Sequence, residues 1–215
     1  MFYETIDNKH GLRHDPFKAL IVPRPIGWIS TISPEGVVNL APYSFFNAMG
    51  DKPFYVIFSS TGHKDSVTNI IQTGEFVCSM ATWDLRNNMN TTSAMVPRGV
   101  DEFPLAGLTA AKSTMVKPPR VKESPAAFEC RHFQTIELPP EKDGQRGHTL
   151  TIGKVVGIYI DDTFVNDGMV DTAAMKPIAR LGYMDYAVVT PETTFTIHRP
   201  QVDEAGRIVD PKAAE

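Results

Sequence analysis

With 215 residues, 42% hydrophobic and 21% charged, the chain has material for one substantial core and reads as an ordinary soluble globular domain. A net charge of −4, with Lys and Arg dispersed, argues against a nucleic-acid surface, and no apolar run approaches the roughly 18–20 residues that span a bilayer. The N-terminus shows no basic segment followed by an apolar one, and Cys78 and Cys130 are too few for a disulfide framework. Buried thiols in a reducing, cytoplasmic compartment are expected.

In chain order, Lys18 to Val22 rises into a short strand, and Pro23 and Pro25 hold the backbone extended around Arg24. Ile26, Trp28 and Ile32, then Val37, Val38 and Leu40, are strand formers on either side of Ser33-Pro34-Glu35-Gly36. Pro at the second turn position and Gly at the fourth predict a hairpin. Its second strand runs into Asn39 to Asn47, where small or polar groups alternate with rings and Pro42 withholds one backbone donor. A polar edge beside aromatic rings suits a flat, polar-edged molecule.

Phe54 to Ser60 is a near-continuous apolar strand, expected to be buried on both faces or to lie in a barrel wall. Val67, Ile70 and Ile71 have helical spacing, with Asp65 or Ser66 as N-cap and Gly74 as the stop. Lys64 and the Ser66 hydroxyl then stand at the positive end of a short helix, which suits a phosphate. Glu75 to Ala81 alternates as a strand, Trp83 to Met95 is weakly amphipathic, and 104–119 is turn-rich. Residues 126–137 and 149–160 read as strands around a polar loop, Gly153 and Gly157 marking a bulge or corner. Ile178 to Tyr186 carries Arg180 between apolar neighbours, and Pro200 to Glu215 is polar and expected to be extended or disordered. Six to eight strands arriving in runs, with one or two helices, predict a closed antiparallel barrel.

The segments PRPIGWISTISPEGVVNLAPYSFFN, GHKDSVTNI, GEFVCSM, FECRHF, GKVVGIYID and IARLGYMDY, in this order, resemble the flavin reductase-like, FMN-binding split-barrel family. The resemblance runs roughly from Leu20 to Pro200. It implies a mainly β domain over 1–200, a six-stranded antiparallel Greek-key split barrel with a few short helices, followed by a polar tail over 201–215. It also implies a homodimer, FMN near the interface, and hydride transfer from NADH or NADPH. By the same resemblance Ser30 and Thr31 offer hydroxyls near the ribityl-phosphate chain, and Asn39, Ala41, Ser44, Phe45, Phe46 and Asn47 line the isoalloxazine edge. Lys64, Asp65 and Ser66 match the phosphate triplet, with Ser66 where Thr is common. The extra length over 84–120 leaves substrate specificity open.

FMN asks for charge compensation at its phosphate, donors for its pyrimidine carbonyls and an apolar wall, for which Trp28, Phe45 and Phe46 are candidates. Taken singly, Lys64 reads as a surface lysine, these three rings as core, and Ser44 and Asn47 as turn residues. His63 and Arg180 are substrate-side candidates; a surface histidine and a dimer salt bridge serve as well. Cys130 and His132 fall short of a zinc set, and no Gly-x-Gly-x-x-Gly follows a strand, so neither a metal nor a Rossmann site is expected. The expected function is an NAD(P)H:flavin oxidoreductase passing electrons to a small acceptor or a partner monooxygenase. The alternatives are an FMN-holding electron carrier or flavin store, and a module that has lost the cofactor.

Overall fold

A computed structural model describes residues 1–209. The hairpin forms as its sequence predicts, from β1 (Gly27–Ile32) and β2 (Val38–Tyr43). Gly36 takes the left-handed conformation (φ +87°) and donates to the Ser33 carbonyl at 2.9 Å. β2 passes through Ser44 and Phe45 straight into β3 (Phe46–Asp51), which pairs with β4 (Phe54–Thr61). With β5 (Glu75–Met80), β6 (Ala126–Leu138) and β7 (His148–Ile160), these strands make one antiparallel sheet in the order β2-β1-β5-β6-β7-β4-β3. The sheet has seven strands rather than six and is not closed by hydrogen bonds. Its two edge strands, β2 and β3, are consecutive in the chain, so the wall is split at Ser44–Phe45.

Burial explains which face goes where. Trp28 and Ile29 are adjacent and fully buried, because β1 is covered on both sides. Ile29 joins Tyr43, Val56, Phe58, Ile70, Phe76 and the two free cysteines inside the barrel, capped by helix α1 (Asp65–Thr73). Trp28 points the other way, into a second core with Leu40, Met89, Phe103, Val121 and Ile178. The extra residues between β5 and β6, including α2 (Arg86–Thr91), thus form a layer on the outside of the wall. Each large apolar side chain so buried contributes roughly 1.5–3 kcal/mol.

β4 lies in the barrel wall, one of its two expected places: Val56, Phe58 and Ser60 are buried on one face, Tyr55, Ile57 and Ser59 on the other are partly buried, and Phe54 at the strand's start is half exposed. Other expectations are corrected. Lys18 to Val22 is not a strand: Lys18 to Leu20 belong to a single helical turn, Phe17–Leu20, which Pro16 starts and the Arg24 guanidinium ties down through the carbonyls of Lys18 and Ile21. The cap of α1 is Lys64, whose side chain makes no capping bond, with Asp65 already in the first turn. Of the two expectations for the polar C-terminal stretch, extended backbone holds where it is described: Gln201–Val202 and Ile208–Val209 pair as a small hairpin, and residues 210–215 lie outside the described residues. The Gly74 stop holds, left-handed at φ +77° with its amide on the Ile70 carbonyl, and so does the bulging at Gly153 and Gly157.

Candidate functional site

Where the wall is split, a cleft of about 830 Å³ opens between the β2–β3 junction, the end of β4 and the start of α1. That volume suits a nucleotide-sized ligand. One end is cationic. Lys64 is exposed at the start of α1, where the first helical amides lack intrahelical partners and no side chain caps them. Arg146 reaches this end because the Gly62 amide bonds the Gly147 carbonyl at 3.1 Å, clamping the 139–148 loop to the turn before α1. Arg98 arrives from the outer layer, 3.9 Å from Asp65.

The other end is polar and aromatic. Asn39, Ala41, Pro42, Ser44 and Phe45 line it along β2, facing Ser59, Ser60 and Thr61 of β4. Asn39 Nδ2 donates to Ser66 Oγ at 2.9 Å, so strand and helix are joined by a buried polar pair. Behind them, the Tyr43 hydroxyl and Ser60 Oγ are buried without a hydrogen-bond partner. Burial raises the Tyr43 pKa above its ordinary value, so this phenol stays a neutral donor. Glu102 closes the floor, 7% exposed, accepting from the Leu40 amide at 2.8 Å. Burial is the main cause that raises its pKa.

The cleft thus gathers seven of the twelve residues the sequence nominates for cofactor contact: Asn39, Ala41, Ser44, Phe45, Lys64, Asp65 and Ser66. The other five lie elsewhere. Trp28 is fully buried in the outer core, its Nε1 donating to Thr92 Oγ1 at 2.9 Å. Ser30 and Thr31 are fully buried with their hydroxyls engaged, Ser30 on the Pro119 carbonyl and Thr31 by Asn69 Nδ2 at 3.0 Å. Phe46 turns its ring over Gly27 on the opposite side of the wall from Phe45, as alternation along an extended chain requires. Asn47 is exposed, and its side-chain Oδ1 accepts from the Ala48 amide. His63 stands just outside, with Nε2 2.5 Å from Glu137 Oε1, and Arg180 lines a different cavity. Arg98, Arg146, Tyr43, Ser60 and Glu102 escape sequence reasoning, since no local pattern ties them to Lys64. No group of three or more metal-ligating side chains occurs among the described residues.

The fold is that of an antiparallel split barrel with an anion-receptive helix start at its opening. Residues 19–179 match the flavin reductase like domain, and the chain belongs to that family of flavin-linked oxidoreductases. It is 38% identical over 169 residues to an uncharacterized protein of Aquifex aeolicus, covering 76% of this chain and 83% of that one. Among solved structures it resembles nitrilotriacetate monooxygenase component B from Bacillus cereus, with TM-score 0.81, 30% identity, and 92% and 98% of the two chains covered. A Shewanella frigidimarina protein of the flavin reductase type with a split barrel domain shares the fold at TM-score 0.78 and 23% identity, with 94% of this chain and 100% of that chain covered. No helix among the described residues is long and apolar enough to cross a membrane.

Proposed function

We propose that this cleft holds FMN and that the protein is an NAD(P)H-dependent flavin oxidoreductase. One observation carries the reading: a single cleft joins an uncapped helix start, ringed by Lys64, Arg98 and Arg146, to a polar wall with two unpartnered buried hydroxyls. An orphaned buried hydroxyl costs about 1–3 kcal/mol, so Tyr43 and Ser60 fit a ligand that brings acceptors. FMN meets both ends, with a dianionic phosphate at one and carbonyls at the other.

In this reading Lys64 and the first amides of α1 bind the phosphate. Asn39 fixes the Ser66 hydroxyl, Ser44 and Ser59 line the path of the ribityl chain, and Phe45 forms an apolar wall against the ring system. When bound, FMN supplies the hydride chemistry, so the protein needs no acid–base dyad. Glu102 keeps the floor anchored to β2. A small acceptor is the simplest electron sink. That a solved relative is a component of a monooxygenase supports a separate oxygenase as the consumer of reduced flavin. The working unit is a homodimer.

The experiment is anaerobic mixing of FMN-loaded protein with NADH or NADPH. Bleaching of the flavin absorbance is expected; failure with both donors leaves an electron carrier instead. Lys64→Ala is expected to weaken FMN binding about ten- to hundredfold, the loss of a charge-assisted contact worth roughly 1.5–3 kcal/mol. The melting temperature of the flavin-free form should hardly change. Equal FMN affinity in the variant, read by fluorescence quenching, would sink the phosphate assignment.

A further inference from the structure

On the far side of α2 from the cleft lies a second cavity of about 470 Å³. Its walls come from α2 and the residue stretch before it, and from the hairpin of β8 (Ile178–Arg180) and β9 (Tyr186–Val188). Most of the lining is apolar: Trp83, Met89, Ile178, Met184 and Val188. Two guanidinium groups, beside the neutral amides of Asn87 and Asn90, break that surface. Arg86 sits 3.9 Å from the centroid of the Trp83 ring, and Arg180 4.5 Å from that of Tyr186.

The charge arrangement is one-sided. No carboxylate lines the cavity, and neither arginine makes an ion pair among the described residues. Arg86 spends one donor on the Trp83 carbonyl at 2.7 Å, and Arg180 uses Nη2 on the Tyr183 carbonyl and the Met184 sulfur. A guanidinium carries five donors, so most remain free on each. A third cation, Arg24, is buried directly across the β-pairing from Arg180, satisfied by carbonyls alone, with its Nε unpartnered. Stacking on aromatic faces holds the two arginines in place and strengthens as water is excluded. Three positive charges, two of them facing an apolar hollow, leave an anion with an apolar body as the complementary guest. A bare inorganic anion would leave the apolar walls unfilled, and a neutral ring would leave the guanidiniums unpaired.

We propose that this cavity is a second small-molecule site, separate from the flavin cleft, and that it takes an aromatic carboxylate. The ring packs among Trp83, Met89 and Met184, and the carboxylate pairs with Arg86 and Arg180. The site does not depend on the flavin reading, because none of its lining residues belongs to the cleft.

Benzoate is the probe, and Trp83 is its reporter. The chain has two tryptophans, and the other, Trp28, is fully buried outside this cavity. Titration of the full-length protein should give a saturable change in tryptophan fluorescence, confirmed by calorimetry. Benzamide, of the same shape without the charge, should bind about tenfold or more weakly, and so should benzoate to Arg86→Gln or Arg180→Gln. Benzoate affinity should be the same with and without added FMN. The proposal is overturned by a non-saturating signal, by equal affinity for benzoate and benzamide, by wild-type affinity in Arg86→Gln, or by displacement of benzoate on adding FMN. Should Arg180→Gln unfold the hairpin, Arg86→Gln and the benzamide comparison still decide. A protein that retains no FMN would fail the flavin reading and leave this titration intact.

Discussion

Glu102 is a buried carboxylate with one hydrogen bond from backbone and no cation paired to it among the described residues. Burial raises its pKa, so the folded chain holds this proton to higher pH than the unfolded chain does. Its contribution to stability is therefore greatest on the acid side and is lost as pH rises through the ordinary carboxylate value to the raised one. Glu102→Gln keeps an oxygen for the Leu40 amide and removes the charge. The variant should gain on wild type, in urea midpoint, progressively as pH rises across that window; a difference constant with pH would refute the argument. The same bookkeeping of polar atoms separates the serines and threonines. Ser30 and Thr31 have spent their hydroxyls on Pro119 and Asn69, while Ser60 and Tyr43 at the cleft have not.

At the scale of elements, the glycines of β7 show how the wall is shaped. A Cβ on Gly153 would fall 2.2 Å from Cζ of Phe76, a fully buried ring, at a point where the β6–β7 register slips. Gly153→Ala should cost about 1–3 kcal/mol of overpacking. At Gly157 the nearest atom is Cγ of Met115, 3.2 Å away on a flexible side chain. Gly157→Ala should cost less than half as much. Chemical denaturation of the pair tests this, and equal losses would show that the bulge and not the Phe76 ring decides. Helix α1 illustrates the opposite economy: its C-terminus is fully capped by Gly74 while its N-terminus is left open toward the cleft.

For the whole molecule, the uncovered outer face of the sheet carries the consequence. Met49 on β3 and Phe133 on β6 are 56% and 60% exposed, and Tyr55 on β4 meets Phe133 edge-on at 5.2 Å. A strip of large apolar groups reaching from β3 and β4 across β7 to β6 marks an association surface. A second copy of this chain is the expected cover, since closed two-fold pairs are the commonest oligomers. Sedimentation should find a dimer at micromolar concentration, and Phe133→Glu should weaken it tenfold or more. A wild-type monomer under those conditions would rule the dimer out.

Short-range chemistry determined what the sequence alone could reveal here. The Ser33–Gly36 turn, the strand alternations, the Gly74 stop and the Lys64–Ser66 helix start all depend on residues within one turn or one strand of each other. Tertiary structure decided the rest. A period of two tells that Trp28 and Ile29, or Phe45 and Phe46, point opposite ways; which of them meets the cleft depends on what covers each side. The outer layer that buries Trp28 comes from residues 81–121, and Arg98 and Arg146 reach Lys64 only through contacts between distant segments. Such contacts leave no periodic trace in the chain, because they are set by how the wall splits and which loops fold back across the opening.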